Sequence, residues 1–186
     1  MILSLLMRMP SAHGYLLAKI INDTIGPYAK LSNGRLYPLL SKLQETGLIN
    51  FADHEEECIQ NGGRSVYSYK ITEAGSKRFH QLMMDMASNP GEYQKIFFIK
   101  ASGLNLVKPH ERLRLLNHYL NYCQTHVLHL TSEVEDLMVL ISNGEIPTKD
   151  NGMDAMRHRI DQWQLELNWA TQLRERELAE QQAQIV

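Results

Sequence analysis

The stretch Leu31-Ser32-Asn33-Gly34-Arg35-Leu36-Tyr37-Pro38-Leu39-Leu40-Ser41-Lys42-Leu43-Gln44-Glu45-Thr46-Gly47-Leu48-Ile49 reads as a capped helix with two unlike faces. Leu36, Leu39, Leu40 and Leu43 recur at the three-and-four spacing that gathers side chains on one side for a core, while Arg35, Ser41 and Lys42 fall outside that stripe. Ser32 can supply the N-cap oxygen, and Gly47 stands where such a helix ends. The first turn offers free backbone N–H groups and a partial positive charge, which suit phosphate oxygens, and Arg35 stands one turn inside that end. Pro38 cannot donate to the carbonyl of Gly34, which predicts a distorted first turn. This pattern is that of a recognition helix in the DNA major groove.

Working outward, Ile2 to Met7 forms a short helical segment, Met9-Pro10-Ser11 breaks it, and His13-Gly14-Tyr15 opens a second segment that ends near Gly26-Pro27. Three short helices within the first 47 residues match a helix-turn-helix. After Gly47 the pattern turns extended. Leu48-Ile49-Asn50-Phe51 and Val66-Tyr67-Ser68-Tyr69-Lys70-Ile71 are rich in strand formers and flank a polar segment ending in Asn61-Gly62-Gly63-Arg64, a hairpin with a basic tip. Thr72 is placed to cap a further helix running through Phe79, Leu82, Met83 and Met86 to about Ser88. The fold class expected is mainly α with a small β-hairpin: an N-terminal winged helix-turn-helix over 1–88, then a long-helix dimerisation domain over 89–186.

At 186 residues, 44% hydrophobic and 22% charged, the composition is that of a globular protein of one ordinary domain or two small ones, which excludes disordered and membrane classes. The opening Met1-Ile2-Leu3-Ser4-Leu5-Leu6-Met7 is too short to span a bilayer and runs at once into Arg8 and Pro10, so it reads as a core helix of a cytoplasmic protein. Cys58 and Cys123 are 65 positions apart and match no metal or redox spacing, so both are expected as reduced, unlinked thiols. The net charge of −2 hides an asymmetry: residues 1–80 hold nine Lys or Arg against seven acids, giving +2, and the remainder holds ten against fourteen, giving −4. Four of those seven acids lie between Asp53 and Glu57, so a nucleic-acid face belongs to the rest of the N-terminal half and the acidic run should face away from it.

The order and wording of these pieces resemble the PadR family of bacterial transcription regulators. The likeness lies in Ile2-Leu3-Ser4-Leu5-Leu6, His13-Gly14-Tyr15, Gly34-Arg35-Leu36-Tyr37-Pro38-Leu39-Leu40 leading to Leu43, Glu45-Thr46-Gly47-Leu48-Ile49, Gly63-Arg64 and Tyr69-Lys70-Ile71-Thr72-Glu73-Ala74-Gly75. What the resemblance implies is a homodimeric repressor, less often an activator, on an inverted-repeat operator in double-stranded DNA. Ser32, Asn33, Arg35, Tyr37, Lys42 and Arg64 are the DNA-binding candidates, with Arg35 and Arg64 matching the family's DNA-contacting elements.

In the second half, Leu113, Leu116, Leu120, Cys123, Val127, Leu130, Val134, Leu137 and Ile141 alternate three and four apart in an unbroken heptad seam. A helix over 109–142 would be roughly 50 Å long and needs a partner helix along it. Met156, Ile160, Trp163, Leu167 and Ala170 form the second seam, joined through Asn143-Gly144-Glu145-Ile146-Pro147 and Asp150-Asn151-Gly152, so the two helices should pair antiparallel. Two helices leave apolar surface over, which calls for the same half of a second subunit. Lys95-Ile96-Phe97-Phe98-Ile99-Lys100, within a linking helix over 90–103, and the two long helices resemble the larger PadR subfamily of phenolic-acid-responsive repressors and the virulence activator AphA.

His118, Tyr122, His126 and His129 follow one helical stripe beside the seam. Histidines so spaced can bind zinc, but no cysteine or carboxylate joins them at ligand spacing, so no metal and no cofactor is expected. The alternatives are a solvated or interface stripe, or an effector pocket in which His118, Tyr122, His126 and Trp163 hold a small aromatic acid, as the resemblance implies. No phosphate-binding glycine loop, no Gly-x-Ser-x-Gly turn and no carboxylate pair points to an enzyme. Two functions stand: a DNA-binding regulator released by a small molecule, and a winged-helix protein-interaction module without sequence-specific DNA binding.

Overall fold

Ile2, Leu3 and Leu6 are buried, so the opening apolar run is a core helix, α1 (Ile2–Leu6), as its pattern predicts. The structure, a computed structural model, describes residues 1–26, 30–52, 67–145 and 151–183. Its contacts fall into two units, Met1–Leu106 and Val107–Val186. In the first, β1 (Ala12–His13) leads directly into α2 (Gly14–Ile25), followed by α3 (Asn33–Glu45), β2 (Ile49–Phe51), β3 (Ser68–Ile71), α4 (Glu73–Met84) and α5 (Tyr93–Ala101). Leu17, Leu36, Leu40, Ile49, Tyr93 and Phe97 are fully buried at its centre, each worth about 1.5–3 kcal/mol of transfer free energy.

The sheet is antiparallel in the order β1-β3-β2, with Ala12 opposite Tyr69 and His13 opposite Ser68 on one side, and Ile49 opposite Ile71 on the other. The hairpin of the sequence reading thus has a third, two-residue strand beside it. Two residues are too short to show a period of two, and what holds them is long-range: the Ser68 hydroxyl lies 2.8 Å from His13 Nδ1. Helix α4 stops at Met84, four residues before the expected end. Asp85 takes extended backbone (φ −74°, ψ 107°), and its carboxylate accepts the N–H groups of Ala87 and Ser88.

The second unit is an antiparallel hairpin of α6 (Pro109–Ser142) and α7 (Asn151–Ala183). Pro109 at the first position and the Glu111 carboxylate, which accepts the Lys108 N–H at 3.0 Å, start α6 where the sequence places it. Gly144 leaves α6 with φ +76°, the left-handed conformation a glycine allows. Every residue of the α6 seam is buried or half-buried, and opposite it Trp163 and Ala170 are buried. Polar ties fix the register: Arg112 pairs with Glu177 at 3.0 Å, and the Tyr119 hydroxyl donates to Glu166 at 2.6 Å. No helix among the described residues is long and apolar enough to cross a membrane.

Candidate nucleic-acid interface

Helix α3 divides as its sequence does. Leu36 and Leu40 have no exposed surface, whereas Ser32, Asn33, Arg35, Tyr37, Ser41 and Lys42 are all exposed. Leu39 and Leu43 depart from the expected core stripe: Leu39 is 42% exposed and Leu43 half-buried. Ser32 takes the extended N-cap conformation (φ −73°, ψ 156°), and its carbonyl accepts the N–H groups of Arg35 and Leu36 at 2.9 Å. Its hydroxyl makes no capping bond, contrary to the simplest reading. The hydroxyl and the remaining first-turn N–H groups are thereby left to an external acceptor such as a phosphate. Pro38 is accommodated within the helix.

Three fixings hold this helix, and the sequence reading missed the first. Asn22 of α2 accepts the Leu31 N–H at 2.6 Å and donates to the Leu31 carbonyl at 3.2 Å, gripping both backbone groups of the residue before the N-cap. A polar side chain in the otherwise apolar Ile20-Ile21-Asn22 run was the available signal. Second, Tyr37 lies over the start of α2: a Cβ built on Gly14 would stand 3.2 Å from its Cε1 and 3.4 Å from its hydroxyl oxygen. Tyr37 is 47% exposed, so its ring is anchored while part of it faces solvent. Its proximity also adds to the effect of burial in raising the Tyr69 hydroxyl above its usual range. Third, the exit of α3 is tied to α4. Thr46 closes the helix, Gly47 turns at φ +69°, and the Thr72 hydroxyl donates to the Gly47 carbonyl at 2.7 Å while accepting the Gly75 N–H at 3.0 Å.

At the base of the wing, Phe51 packs against Tyr67 (centroids 4.8 Å apart) and Tyr69 (5.5 Å), with Phe51 and Tyr67 exposed. This aromatic row was not singled out in the sequence, where strand-forming aromatics look alike whichever face they occupy. Arg64, the Gly62-Gly63 tip, the Asp53–Glu57 run and Cys58 lie outside the described residues.

Within the second unit, Tyr122, His126 and Trp163 do come together. The His126 and Trp163 rings are parallel at 4.0 Å, and Tyr122 meets Trp163 edge-on at 5.5 Å. Burial, then the nearby Arg159 and His129, lowers the His126 pKa. His118 is half-buried, and His129 lies 3.7 Å from Glu133 on the solvent side. Among the described residues no group of three or more His, Cys, Asp or Glu is placed to hold a metal ion.

A three-helix core, a small antiparallel sheet and an exposed, cationic third helix define a winged-helix DNA-binding regulator. Residues 2–81 match the Transcriptional regulator PadR-like family, so the N-terminal unit carries a domain like those of that family of transcriptional regulators. It is similar to the negative transcriptional regulator PadR of Bacillus subtilis (strain 168), with 23% identity over 133 residues, 72% of this chain and 71% of that one. Solved structures of Bacillus subtilis PadR with operator DNA (18% identity, 95% and 96% of the two chains, TM-score 0.42) and with p-coumaric acid (18% identity, 95% of each, TM-score 0.39) are also similar to it.

Proposed function

We propose that this regulator is a homodimeric repressor that binds an inverted-repeat operator in double-stranded DNA and is released by a small molecule such as a phenolic acid. The observation that carries the reading is the division of α3: Leu36 and Leu40 wholly buried, with Ser32, Asn33, Arg35, Tyr37 and Lys42 all exposed on or beside a clamped helix. Arg35 has the donors for a guanine edge, and Lys42 and the first-turn N–H groups suit phosphates. Arg64, which lies outside the described residues and which the sequence pattern assigns to the wing, completes the proposed contact set. The α6–α7 hairpin holds the dimer, for which Leu128 and Leu165, 67% and 70% exposed, supply uncovered apolar surface. The name of the curated relative, a negative regulator, supports repression.

Selection of bound fragments from genomic DNA, followed by anisotropy titration of the selected duplex across a salt series, tests this. Binding should weaken steeply and log-linearly with salt and far exceed that for a scrambled duplex. Equal, weak binding to both duplexes would replace the reading with a winged-helix module that binds protein.

A further inference from the structure

Side chains alternate along a strand, so Ile49 and Phe51 of β2 lie on one face of the sheet, and their partners Ile71 and Tyr69 of β3 lie on that face with them. Two positions before Tyr69 comes Tyr67, whose ring meets Phe51 with centroids 4.8 Å apart. Exposure climbs outward along this face, from 0% at Ile49 and 8% at Tyr69 to 40% at Phe51 and 58% at Tyr67. The face that closes the core at Ile49 therefore runs on, past the cover of the helices, as a row of aromatic rings. Phe51 and Tyr67 forgo much of the burial free energy that rings of their size supply when they are covered.

The inner end of the row adjoins α3. Tyr37 stands close enough to Tyr69 to add to the effect of burial on its hydroxyl, and the Tyr37 ring lies over Gly14. Tyr37 follows Arg35 by two positions, about 200° round the helix, so the two mark different flanks of the exposed arc of α3. A helix in a major groove has a sugar–phosphate strand along each flank. The strand on the Tyr37 flank would run beside the aromatic row. The row carries rings and hydroxyls and no charge. Its hydroxyls can donate to phosphate oxygens, which recur at every nucleotide, and its rings can lie against the CH groups of deoxyribose. An apolar protein surface laid on the same rings would cover the Tyr67 hydroxyl without offering it an acceptor.

We propose that Phe51 and Tyr67 form a docking strip for one sugar–phosphate strand of duplex DNA, the Tyr67 hydroxyl donating to a phosphate and the Phe51 ring lying against the neighbouring deoxyribose. The strip reads no base. It fixes how α3 is rolled in the groove, and so which bases the Arg35 flank can reach. Its place beside the duplex rests on the reading of α3 as the DNA-contacting helix, and the test separates the two.

The test is anisotropy titration of the full chain with a fluorescein-labelled mixed-sequence duplex at low salt, and with the selected operator duplex. Tyr67→Phe and Phe51→Leu should each weaken both duplexes by the same factor, about threefold to tenfold, the weight of one such contact. Both keep an apolar side chain at a partly exposed site, and melting curves establish that each variant is folded. Neither removes a charge, so the slope of log affinity against log salt should stay that of the unaltered chain, whereas loss of a phosphate-binding lysine would lower it by about one. Operator duplexes in which one phosphate at a time is an uncharged methylphosphonate locate the contact: at one position the Tyr67→Phe penalty should disappear. Unchanged affinity in either variant, a loss confined to the operator, or a Tyr67→Phe penalty that persists at every substituted phosphate overturns the proposal. So does a variant that binds DNA normally but changes its sedimentation, since the row then belongs to a contact between copies. Arg35→Ala, titrated alongside, keeps the readings apart. Loss in Arg35→Ala but not in Tyr67→Phe removes the strip and keeps α3, the reverse keeps the strip and removes Arg35, and no binding of the unaltered chain to either duplex removes both.

Discussion

A Cβ built on Gly75 would stand 2.0 Å from the carbonyl oxygen of Leu48 and 2.8 Å from Ile71 Cγ1. The first turn of α4 therefore presses directly on the backbone that leaves the candidate recognition helix. In a solvent-exposed helix, replacing glycine by alanine stabilises by about 1 kcal/mol. Here the contact reverses the sign, because backbone and not a flexible side-chain end lies in the way. Gly75→Ala should destabilise by about 3 kcal/mol, seen as a lower urea midpoint with an unchanged slope.

Asn22 offers a second test of how α3 is held. It satisfies both the N–H and the carbonyl of Leu31, so Asn22→Ala removes two hydrogen bonds at a half-buried site. A loss of about 1–3 kcal/mol in stability follows. Asn22→Asp keeps the acceptor and loses the donor, and it should fall between the two. If operator affinity in the alanine variant drops while the folded fraction at the assay temperature stays complete, the clamp positions the DNA-contacting end. Unchanged affinity would leave it a stabilising device alone.

Arg35 and Tyr37 are both exposed on α3 but are supported differently, which separates their expected phenotypes. Arg35 is exposed, so Arg35→Ala should leave the melting temperature nearly unchanged. It should weaken operator binding by about 1–3 kcal/mol and relax specificity at one base position. Tyr37→Phe keeps the ring over Gly14 and deletes only the hydroxyl, so any lost affinity reports a phosphate or base contact. Tyr37→Ala disturbs the α2–α3 packing as well and should also lower the melting temperature.

The parts of this architecture legible in the sequence are those written in local periodicity. Helix α6 begins and ends where its heptads, Pro109 and Gly144 place it, and the buried pair Leu36 and Leu40 follows from spacing alone. The parts that escaped are long-range. Strand β1 exists because Ala12 and His13 meet Tyr69 and Ser68 more than fifty residues away, and Asn22 matters because of Leu31. Leu39 looks like core by spacing, yet it borders a cavity: periodicity says which side a residue occupies and not whether that side is filled. The Tyr122, His126 and Trp163 grouping was visible in the stripe and facing seam, whereas the stacking of His126 on Trp163 depends on the hairpin register.

Cys123 and Tyr119 predict the response to alkali. Both have no exposed surface; burial above all pushes the Cys123 thiol up to about 12, and burial with the bond to Glu166 raises the Tyr119 hydroxyl. An unfolded thiol loses its proton near 9.0, while the folded one holds it to about 12. Between those values the unfolded chain binds fewer protons, so stability falls as pH rises, by roughly 1.4 kcal/mol per pH unit for each such group. Cys123→Ala should flatten the slope of unfolding free energy against pH above 9 by close to one proton, at the expense of a small cavity. A slope identical to that of the unaltered chain would mean that Cys123 titrates with ordinary ease in the folded protein.

The proposed dimer makes a prediction on the exposed leucines of the hairpin. Leu128 and Leu165 project outside the α6–α7 seam, 67% and 70% exposed, so neither has packing to lose within its own subunit. Glutamate at either position should cost the isolated hairpin less than about 0.5 kcal/mol, while burying an unpaired carboxylate at a contact between copies is far more costly. Leu128→Glu with Leu165→Glu should therefore shift sedimentation at micromolar concentration toward single chains. Operator affinity should fall with it, because two weakly bound half-sites are no longer held as one ligand. Were the doubly substituted chain to sediment as the unaltered one does, the dimer contact would lie elsewhere on the hairpin, with Met138, Val139 and Leu140 the next exposed apolar positions to substitute.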